Sequence, residues 1–166
     1  IAIAKLSQRD KSRHKTLPVE ITKRITSLYN NRQFKEVAKC AERLIKDFPS
    51  SLFLWNLKSH SEFYLKRLEN AEAGFRVVNQ LDPTSPNAYN SLGNVLRSLG
   101  RINEAIENYE KTLSLNSKHF YALYHLGLSL HDIGDYENAI RNYRKLLILR
   151  PDFNDAYYRI GLAFKK

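Results

Sequence analysis

Two stretches of the sequence, 34 residues apart, decide the fold: AYNSLGNVLRSLGRINEAIENYEKTLSLN over residues 88–116 and ALYHLGLSLHDIGDYENAIRNYRKLLILRP over residues 122–151. The same period relates four sets of residues: Ala71, Ala105 and Ala139; Gly93, Gly127 and Gly161; Phe75, Tyr109 and Tyr143; Trp55, Tyr89, Leu123 and Tyr157. A fixed period of this size is typical of a repeat array, in which each unit packs only against its neighbours. The sequence therefore predicts such an array rather than one globular core.

Each unit is predicted to contain two helices joined by a tight turn. In the copy quoted first, we expect the helices at about residues 87–99 and 103–115, with Gly100 as the left-handed residue that ends the first. Ser85 and Pro86 supply an N-cap and a proline at the first helical position. The predicted fold class is accordingly all-α.

The glycines Gly93 and Gly127 fall in the middle of predicted helices, where glycine costs about 0.5–1 kcal/mol relative to alanine. A cost repeated at the same phase predicts that two helices cross too closely there for a Cβ. In the copy at 52–85, Ser59 replaces that glycine and Lys66 replaces the turn glycine. We therefore expect the first helix of that copy to be displaced or to end differently.

This pattern resembles the tetratricopeptide repeat (TPR), with its W-x2-L-G-x2-Y, A-x3-F and P spacing. Two copies match it, at Tyr89, Leu92, Gly93, Leu96, Ala105 and Tyr109, and at Leu123, Leu126, Gly127, Leu130, Ala139, Tyr143 and Pro151. A third keeps Trp55, Ala71, Phe75 and Pro83, and a degenerate fourth keeps Phe34 and Pro49. The resemblance implies a right-handed α-solenoid of antiparallel helix pairs. Its repeats would span 18–51, 52–85, 86–119 and 120–153, with an extra C-terminal helix at 154–166 and a basic N-terminal tail at 1–17.

The resemblance also implies a concave groove, built from the first helices, that binds a peptide or a partner protein. The groove positions of the family fall on Asn56, His60, Phe63, Asn87, Asn90, Asn94, Arg97, Tyr121, Tyr124, Leu128 and His131. The leading hypothesis is a non-catalytic protein-interaction scaffold.

One variant of the family uses basic residues and asparagines to hold a C-terminal carboxylate. Asn94 and Arg159 match that set. Asn90, His125 and Asp155 do not match it. A carboxylate clamp is therefore not expected here.

The net charge of +10 is concentrated in residues 1–51, which carry +7 of it. Four cations there share one face of a predicted helix: Lys35, Lys39, Arg43 and Lys46. They form either an ordinary solvated face or a basic surface for an acidic protein, an anionic membrane or nucleic acid. Nucleic acid is the weaker alternative because no base-stacking motif accompanies the charge.

Motifs for enzyme chemistry are not found in this sequence. It has no phosphate-binding G-x-x-x-x-G-K-[ST] loop, no G-x-G-x-x-G turn and no G-x-S-x-G elbow. His125 and His131 are not spaced as an i, i+4 metal-binding pair. We therefore expect no cofactor, no metal and no catalytic activity. Cys40, the single cysteine, is expected to be a small buried hydrophobe, and a cytoplasmic location is preferred.

An alternative function comes from the stretch LYNNRQFKEVAKCAERLIKDFP followed by LFLWN. It resembles the opening of bacterial repeat domains fused ahead of glycosyl- or sulfotransferase domains, so the chain could be the helical arm of a larger transferase. The absence of methionine favours a piece of a longer parent.

The last predicted helix has an apolar face made by Tyr157, Ile160, Gly161 and Phe164. Terminal repeats normally have a polar outer face. We therefore expect this face to be covered by further chain or by a second copy in a homo-oligomer. No apolar run reaches the length of about 20 residues needed to span a membrane.

Overall fold

The computed structural model describes residues 16–165, and within that range the chain is entirely helical and forms no strand. The helices are α1 Val19–Asn30, α2 Phe34–Ile45, α3 Leu52–Tyr64, α4 Leu68–Leu81, α5 Pro86–Ser98, α6 Ile102–Leu115, α7 Phe120–Asp132, α8 Tyr136–Leu149 and α9 Asn154–Ala163. The predicted all-α class is confirmed. The predicted bounds 87–99 and 103–115 agree with α5 and α6 to within one residue at each end.

The helices fall into two compact units, one ending at Asp82 and one beginning at Pro83. Unit 1 contains α1 to α4 and unit 2 contains α5 to α9. In each unit the helices pack as pairs joined by short turns, at 31–33, 65–67, 99–101 and 133–135. A short turn between two packed helices makes them antiparallel neighbours.

The core of unit 1 is built from apolar side chains at helical spacing. Ile25, Val37, Ala41 and Leu54 are buried in one cluster, and the half-buried Cys40 packs against it. Cys40 is therefore at the edge of the core rather than inside it. The opposite face of α2 is exposed and carries Lys35, Lys39 and Arg43, and Lys46, also exposed, follows directly at the C-cap.

The core of unit 2 contains the residues that repeat with the 34-residue period. Ala105, Ala139, Tyr109 and Tyr143 have no exposed surface. A Cβ added at Gly93 would lie 2.6 Å from Cε1 of Tyr109, and one added at Gly127 would lie 2.5 Å from Cε1 of Tyr143. The prediction that these glycines permit a close helix crossing is confirmed.

The third copy, in unit 1, solves the same crossing in another way. Ser59 occupies the position of the first-helix glycine and is fully buried. Gly74 lies opposite it on α4, and a Cβ added there would collide with Oγ of Ser59. In this pair the glycine is therefore on the second helix, at Gly74, instead of on the first, and the two helices still pack closely.

The expectation that α3 would be displaced or end differently is wrong. It ends at Tyr64, one period before the end of α5 at Ser98. Lys66 takes the left-handed conformation of the missing glycine, with φ of 62°. Its amide donates to the carbonyl of Phe63 at 3.0 Å, as the amide of Gly100 does to Arg97.

The predicted N-cap at Ser85 needs a correction. Ser85 is at the N-cap position before Pro86, but its side chain makes no capping hydrogen bond. The proline at the first helical position still starts the helix, because its φ is already helical and its missing N–H is one that a helix start leaves unpaired. At the same position of the next pair, His119 caps α7 by accepting a hydrogen bond from the amide of Ala122 at 3.1 Å.

The helix α9 presents its apolar residues to solvent. Tyr157 is 53% exposed and Phe164 is 67% exposed, whereas Ile160 is half-buried. A Cβ at Gly161 would meet no atom within 4 Å. Association of two copies through this face stays a prediction.

Candidate functional site

Polar and aromatic side chains at the predicted groove positions collect on one face of unit 2. We call this surface the polar face; its members are Asn87, Asn90, Asn94, Arg97, Tyr121, Tyr124, His131, Asp132, Asp155 and Arg159. They come from α5, α7 and α9, the first helices of successive pairs. Spacings of three and four residues place them along one side of each helix.

Hydrogen bonds between neighbouring helices fix the polar face. Arg97 on α5 donates from Nη2 to Oδ2 of Asp132 at the end of α7, at 2.7 Å. The hydroxyl of Tyr124 on α7 donates to Oδ2 of Asp155 on α9, also at 2.7 Å. Arg159 donates to the same carboxylate oxygen at 3.2 Å. The face is therefore held in a defined arrangement without a ligand.

Three buried polar atoms on this face have no hydrogen-bond partner within the described chain: Oδ1 of Asn90, Nε of Arg97 and Nε2 of His131. The ring of His131 packs edge-on against Tyr136, with centroids 5.1 Å apart. An unpaired buried polar group costs about 1–3 kcal/mol. Ordered water or a ligand would have to satisfy these three atoms.

One predicted groove residue, Leu128, is not accessible on this surface. It is only 8% exposed, so it belongs to the core, and its prediction as a ligand contact is corrected. At the same register in α5, Asn94 accepts a hydrogen bond from the hydroxyl of Tyr109 at 2.9 Å. Leu128 offers no such acceptor to Tyr143, which corresponds to Tyr109 in this pair. The buried hydroxyl of Tyr143 accordingly has no partner in the described chain.

Two electrostatic effects concern the polar face: His125, a half-buried histidine near Arg97 but outside the face, stays neutral, and the carboxylate of Asp155 stays charged. Burial, and then the nearby charges of Arg97 and His119, lower the pKa of His125 to about 4. The hydrogen bond from Tyr124 lowers the pKa of Asp155, and Arg159 adds to this effect. Arg97 is paired with Asp132, and Arg159 is paired with Asp155. The positive and negative charges of these four side chains on the polar face therefore balance.

The predicted groove residues of unit 1 are engaged within their own unit. Asn56 donates from Nδ2 to the carbonyl of Leu52 at 2.8 Å. His60 packs against the ring of Phe75 at 4.8 Å, and burial lowers its pKa. Phe63 lies below Nζ of Lys66, which is 5.9 Å from the ring centroid.

Unit 1 has an aromatic group that sequence reasoning missed. Tyr29 at the end of α1 and Phe34 at the start of α2 meet edge-on at 5.6 Å, and Phe34 stacks on Tyr64 at 4.5 Å. These rings, with Asn30 and Arg32, line a cavity of about 330 Å³. The sequence signal that could have predicted this cluster is the pair Tyr29 and Phe34, two aromatic residues on either side of the turn at 31–33.

Neither a metal site nor a membrane span is found between residues 16 and 165. No cluster of three or more His, Cys, Asp or Glu side chains in that range could hold an ion. No helix in the same range is long and apolar enough to cross a bilayer.

Comparison with known families accounts for this architecture. A family profile described as "TPR repeat" matches residues 93–134 and 127–166, and one described as "Tetratricopeptide repeat" matches residues 75–107. These matches cover more than half of the chain. The protein belongs to the tetratricopeptide repeat family, as the sequence pattern predicted.

Solved structures share the same fold. A MamA protein is 24% identical with a TM-score of 0.80, over 85% of this chain and 77% of that one. YrrB, described as a TPR protein with an unusual peptide-binding site, is 15% identical with a TM-score of 0.78, over 99% and 83%. The first TPR of Spaghetti (RPAP3), bound to the HSP90 peptide SRMEEVD, is 17% identical with a TM-score of 0.67, over 69% and 90%. At these identities the likeness shows the fold alone. No curated protein sequence matches the chain significantly.

Proposed function

We propose that this protein is a non-catalytic interaction module and that the polar face of unit 2 binds an extended segment of a partner protein. The observation that carries the proposal is the set of unpaired atoms on α5 and α7. Oδ1 of Asn90 accepts hydrogen bonds, and Nε of Arg97 donates them. A peptide backbone offers both an N–H donor and a C=O acceptor at every residue, so it complements such a mixed set.

Exposed aromatic surface next to these atoms supports the same proposal. Tyr121 is 62% exposed on α7, at one end of the row that contains Tyr124 and His131. Tyrosine supplies a large rigid contact area and a polar tip, which is why it is enriched where proteins bind one another. The solved structures of YrrB and RPAP3, whose descriptions name a peptide-binding site and a bound peptide, show that this fold can serve such a purpose.

The charge pattern argues for an internal segment rather than a free C-terminus. A terminal carboxylate needs unpaired cations, but Arg97 is paired with Asp132 and Arg159 with Asp155. A carboxylate entering here would meet two like charges, and displacing them would break the hydrogen bonds that fix the face. The proposed ligand is therefore a segment without a terminal carboxylate at this site.

The test starts from selection of peptides from a random displayed library with the whole chain as bait. The selected peptide is then titrated by fluorescence anisotropy against the double variant Asn90→Ala with His131→Ala. We expect at least a tenfold loss of affinity, because two hydrogen-bonding groups at the centre of the face are removed. The matched control is Asn103→Ala, an exposed amide on α6, which is expected to bind normally. Unchanged binding by the double variant would refute this site.

A further inference from the structure

The two first-to-second-helix turns of unit 1 contain strained residues. Arg32 has φ of 56° and Lys66 has φ of 62°, whereas the same positions in unit 2 are Gly100 and Gly134, with φ of 78° and 83°. The left-handed region costs a side-chain-bearing residue energy that glycine does not lose. Glycine would therefore be the more stable choice at both turns of unit 1.

The backbone hydrogen bonds of these turns do not depend on the residue type. The amide of Arg32 donates to the carbonyl of Tyr29 at 2.9 Å, and that of Gly100 donates to Arg97 at 3.0 Å. The next amide in each turn donates further back, from Gln33 to the carbonyl of Leu28 at 3.0 Å. Since glycine makes the same turn, the two cations gain nothing from the backbone, and the reason for them lies in their side chains.

Both side chains are basic, exposed and at the same register of successive helix pairs. Neither forms an ion pair with any residue between 16 and 165. Lys35, also exposed, follows Arg32 by three residues and begins the row of cations on α2. The nearby carboxylate of Glu62 is occupied by Arg67, at 3.4 Å. These turns therefore carry positive charge that is not neutralised within the described part of unit 1.

An aromatic cavity lies directly beside Arg32, and Lys66 lies over the ring of Phe63, which packs against Tyr64 of the cavity at 6.1 Å. Arg32 lines it together with Tyr29, Phe34 and Tyr64, and its volume is about 330 Å³, at the lower end of the range for ligand pockets. Tyr64 is 53% exposed although it is stacked on Phe34. Burial, and then the neighbouring phenol of Tyr64, raise the pKa of Tyr29 to about 12. Tyr29 therefore stays protonated and can donate a hydrogen bond.

We propose that Arg32, Lys66, Tyr29, Phe34 and Tyr64 form a second binding site, within unit 1, for an acidic peptide segment that carries an aromatic side chain. The aromatic side chain of the ligand occupies the cavity against Phe34 and Tyr64. The ligand's carboxylates face Arg32 and Lys66. This site is independent of the polar face of unit 2 and of the function proposed for it.

The aromatic geometry favours a peptide over single-stranded nucleic acid. Nucleic acid is normally held by several ring faces on which successive bases stack. Here one face of Tyr64 is covered by Phe34, at an interplanar angle of 18°, and Tyr29 meets Phe34 edge-on at 69°. The cluster therefore offers one insertion point rather than a row of platforms.

The probe is a fluorescein-labelled peptide of sequence GEDEFDEDG, titrated by anisotropy with the whole chain. One comparison peptide replaces its phenylalanine by alanine, and another replaces its acidic residues by asparagine and glutamine. We expect each comparison peptide to bind at least about tenfold more weakly, and binding of the probe to weaken as salt is raised.

The decisive variant is Arg32→Gly with Lys66→Gly, because it removes both charges and relaxes both turns. We expect its Tm to rise by a few degrees while its affinity for the probe falls at least about tenfold. Loss of binding can then not be attributed to unfolding. Tyr64→Ala is expected to lower the affinity by a similar factor.

Two control variants test whether the probe binds at this site rather than through general positive charge or through the polar face. Lys118→Ala with Lys145→Ala removes the same charge from exposed positions of unit 2 and is expected to bind the probe within twofold of the unaltered chain. Asn90→Ala with His131→Ala, which tests the polar face, is expected to leave probe binding unchanged.

Three results would overturn the proposal. The first is full retention of probe binding by the double glycine variant. The second is a lower Tm for that variant, since the turns would then not be strained by their cations. The third is tighter, Tyr64-dependent binding of a ten-residue uridine oligonucleotide, which would identify nucleic acid as the ligand.

Discussion

The α3/α4 pair of unit 1 and the α5/α6 and α7/α8 pairs of unit 2 form the same close crossing from different residues. In unit 2 the glycine is on the first helix and a tyrosine ring on the second covers it, as at Gly93 and Tyr109. In unit 1 the first helix carries Ser59 and the second carries Gly74. The fold thus requires a small combined volume at the crossing, and either helix can supply it.

The turns of the two units share a left-handed backbone conformation but differ in residue type. Gly100 and Gly134 adopt it without a side chain, and Arg32 and Lys66 adopt it with one. At the crossing the substitution is compensated by a neighbour. At the turns, Lys66 contacts only the ring of Phe63, at 5.9 Å, and neither cation forms an ion pair between residues 16 and 165. The crossing is therefore explained by packing, and we look for the reason for the turn residues in function.

The largest effect is expected where a buried tyrosine ring covers the glycine. Gly127→Ala places a methyl group against the ring of Tyr143 and should cost about 1–3 kcal/mol of unfolding free energy. Gly161→Ala is its control, because that position is one period later and meets no atom within 4 Å. There, alanine should stabilise α9 by about 0.5–1 kcal/mol. Urea unfolding measures both, and equal effects would refute the close crossing at Gly127.

The compensation in unit 1 predicts coupling between Ser59 and Gly74. The side chain of Ser59 is held in one orientation because its hydroxyl donates a hydrogen bond to the carbonyl of Trp55 at 2.7 Å. Gly74→Ala alone should therefore cost about 1–2 kcal/mol, and much of that cost should disappear in a Ser59→Gly background. A double-mutant cycle by urea unfolding gives the coupling energy. Additive effects would show that the two positions do not share one volume.

The smallest effect concerns the two buried tyrosines of unit 2. Tyr109→Phe should cost about 0.5–1.5 kcal/mol, because it removes the hydrogen bond to Asn94. Tyr143→Phe should be neutral or slightly stabilising, because the hydroxyl that it removes has no partner between residues 16 and 165. Both are measured by equilibrium unfolding. If Tyr143→Phe proved the more damaging, the assignment of that hydroxyl as unpaired would be wrong.

Much of the fold could be predicted from the period because each repeat makes its contacts with its neighbours. The buried alanines and tyrosines, the mid-helix glycines and the left-handed Gly100 all followed from it. The prediction for α3 failed because it treated Ser59 and Lys66 singly. The glycine that accommodates Ser59 is fifteen residues away, and its relevance depends on which faces of α3 and α4 meet.

The candidate site was less predictable, for the same physical reason. The family's groove positions identified Asn90, Arg97 and His131, but the pattern could not distinguish an unpaired amide from one such as Asn94, which is bonded to Tyr109. It placed Leu128 on the surface, where an apolar side chain next to a tight crossing becomes buried. It did not bring Tyr29, Phe34 and Tyr64 together at all.

The sequence by itself determined the repeat, the helix pairs and the glycines at the turns and crossings of unit 2, because these depend on local conformation and on a period that can be counted. Tertiary structure alone decided which polar groups satisfy one another across neighbouring helices and which stay unpaired. A hydrogen bond is made or lost by a change of a few tenths of an ångström between residues that are far apart in sequence, as Arg97 and Asp132 are, 35 positions apart. No spacing rule carries that information.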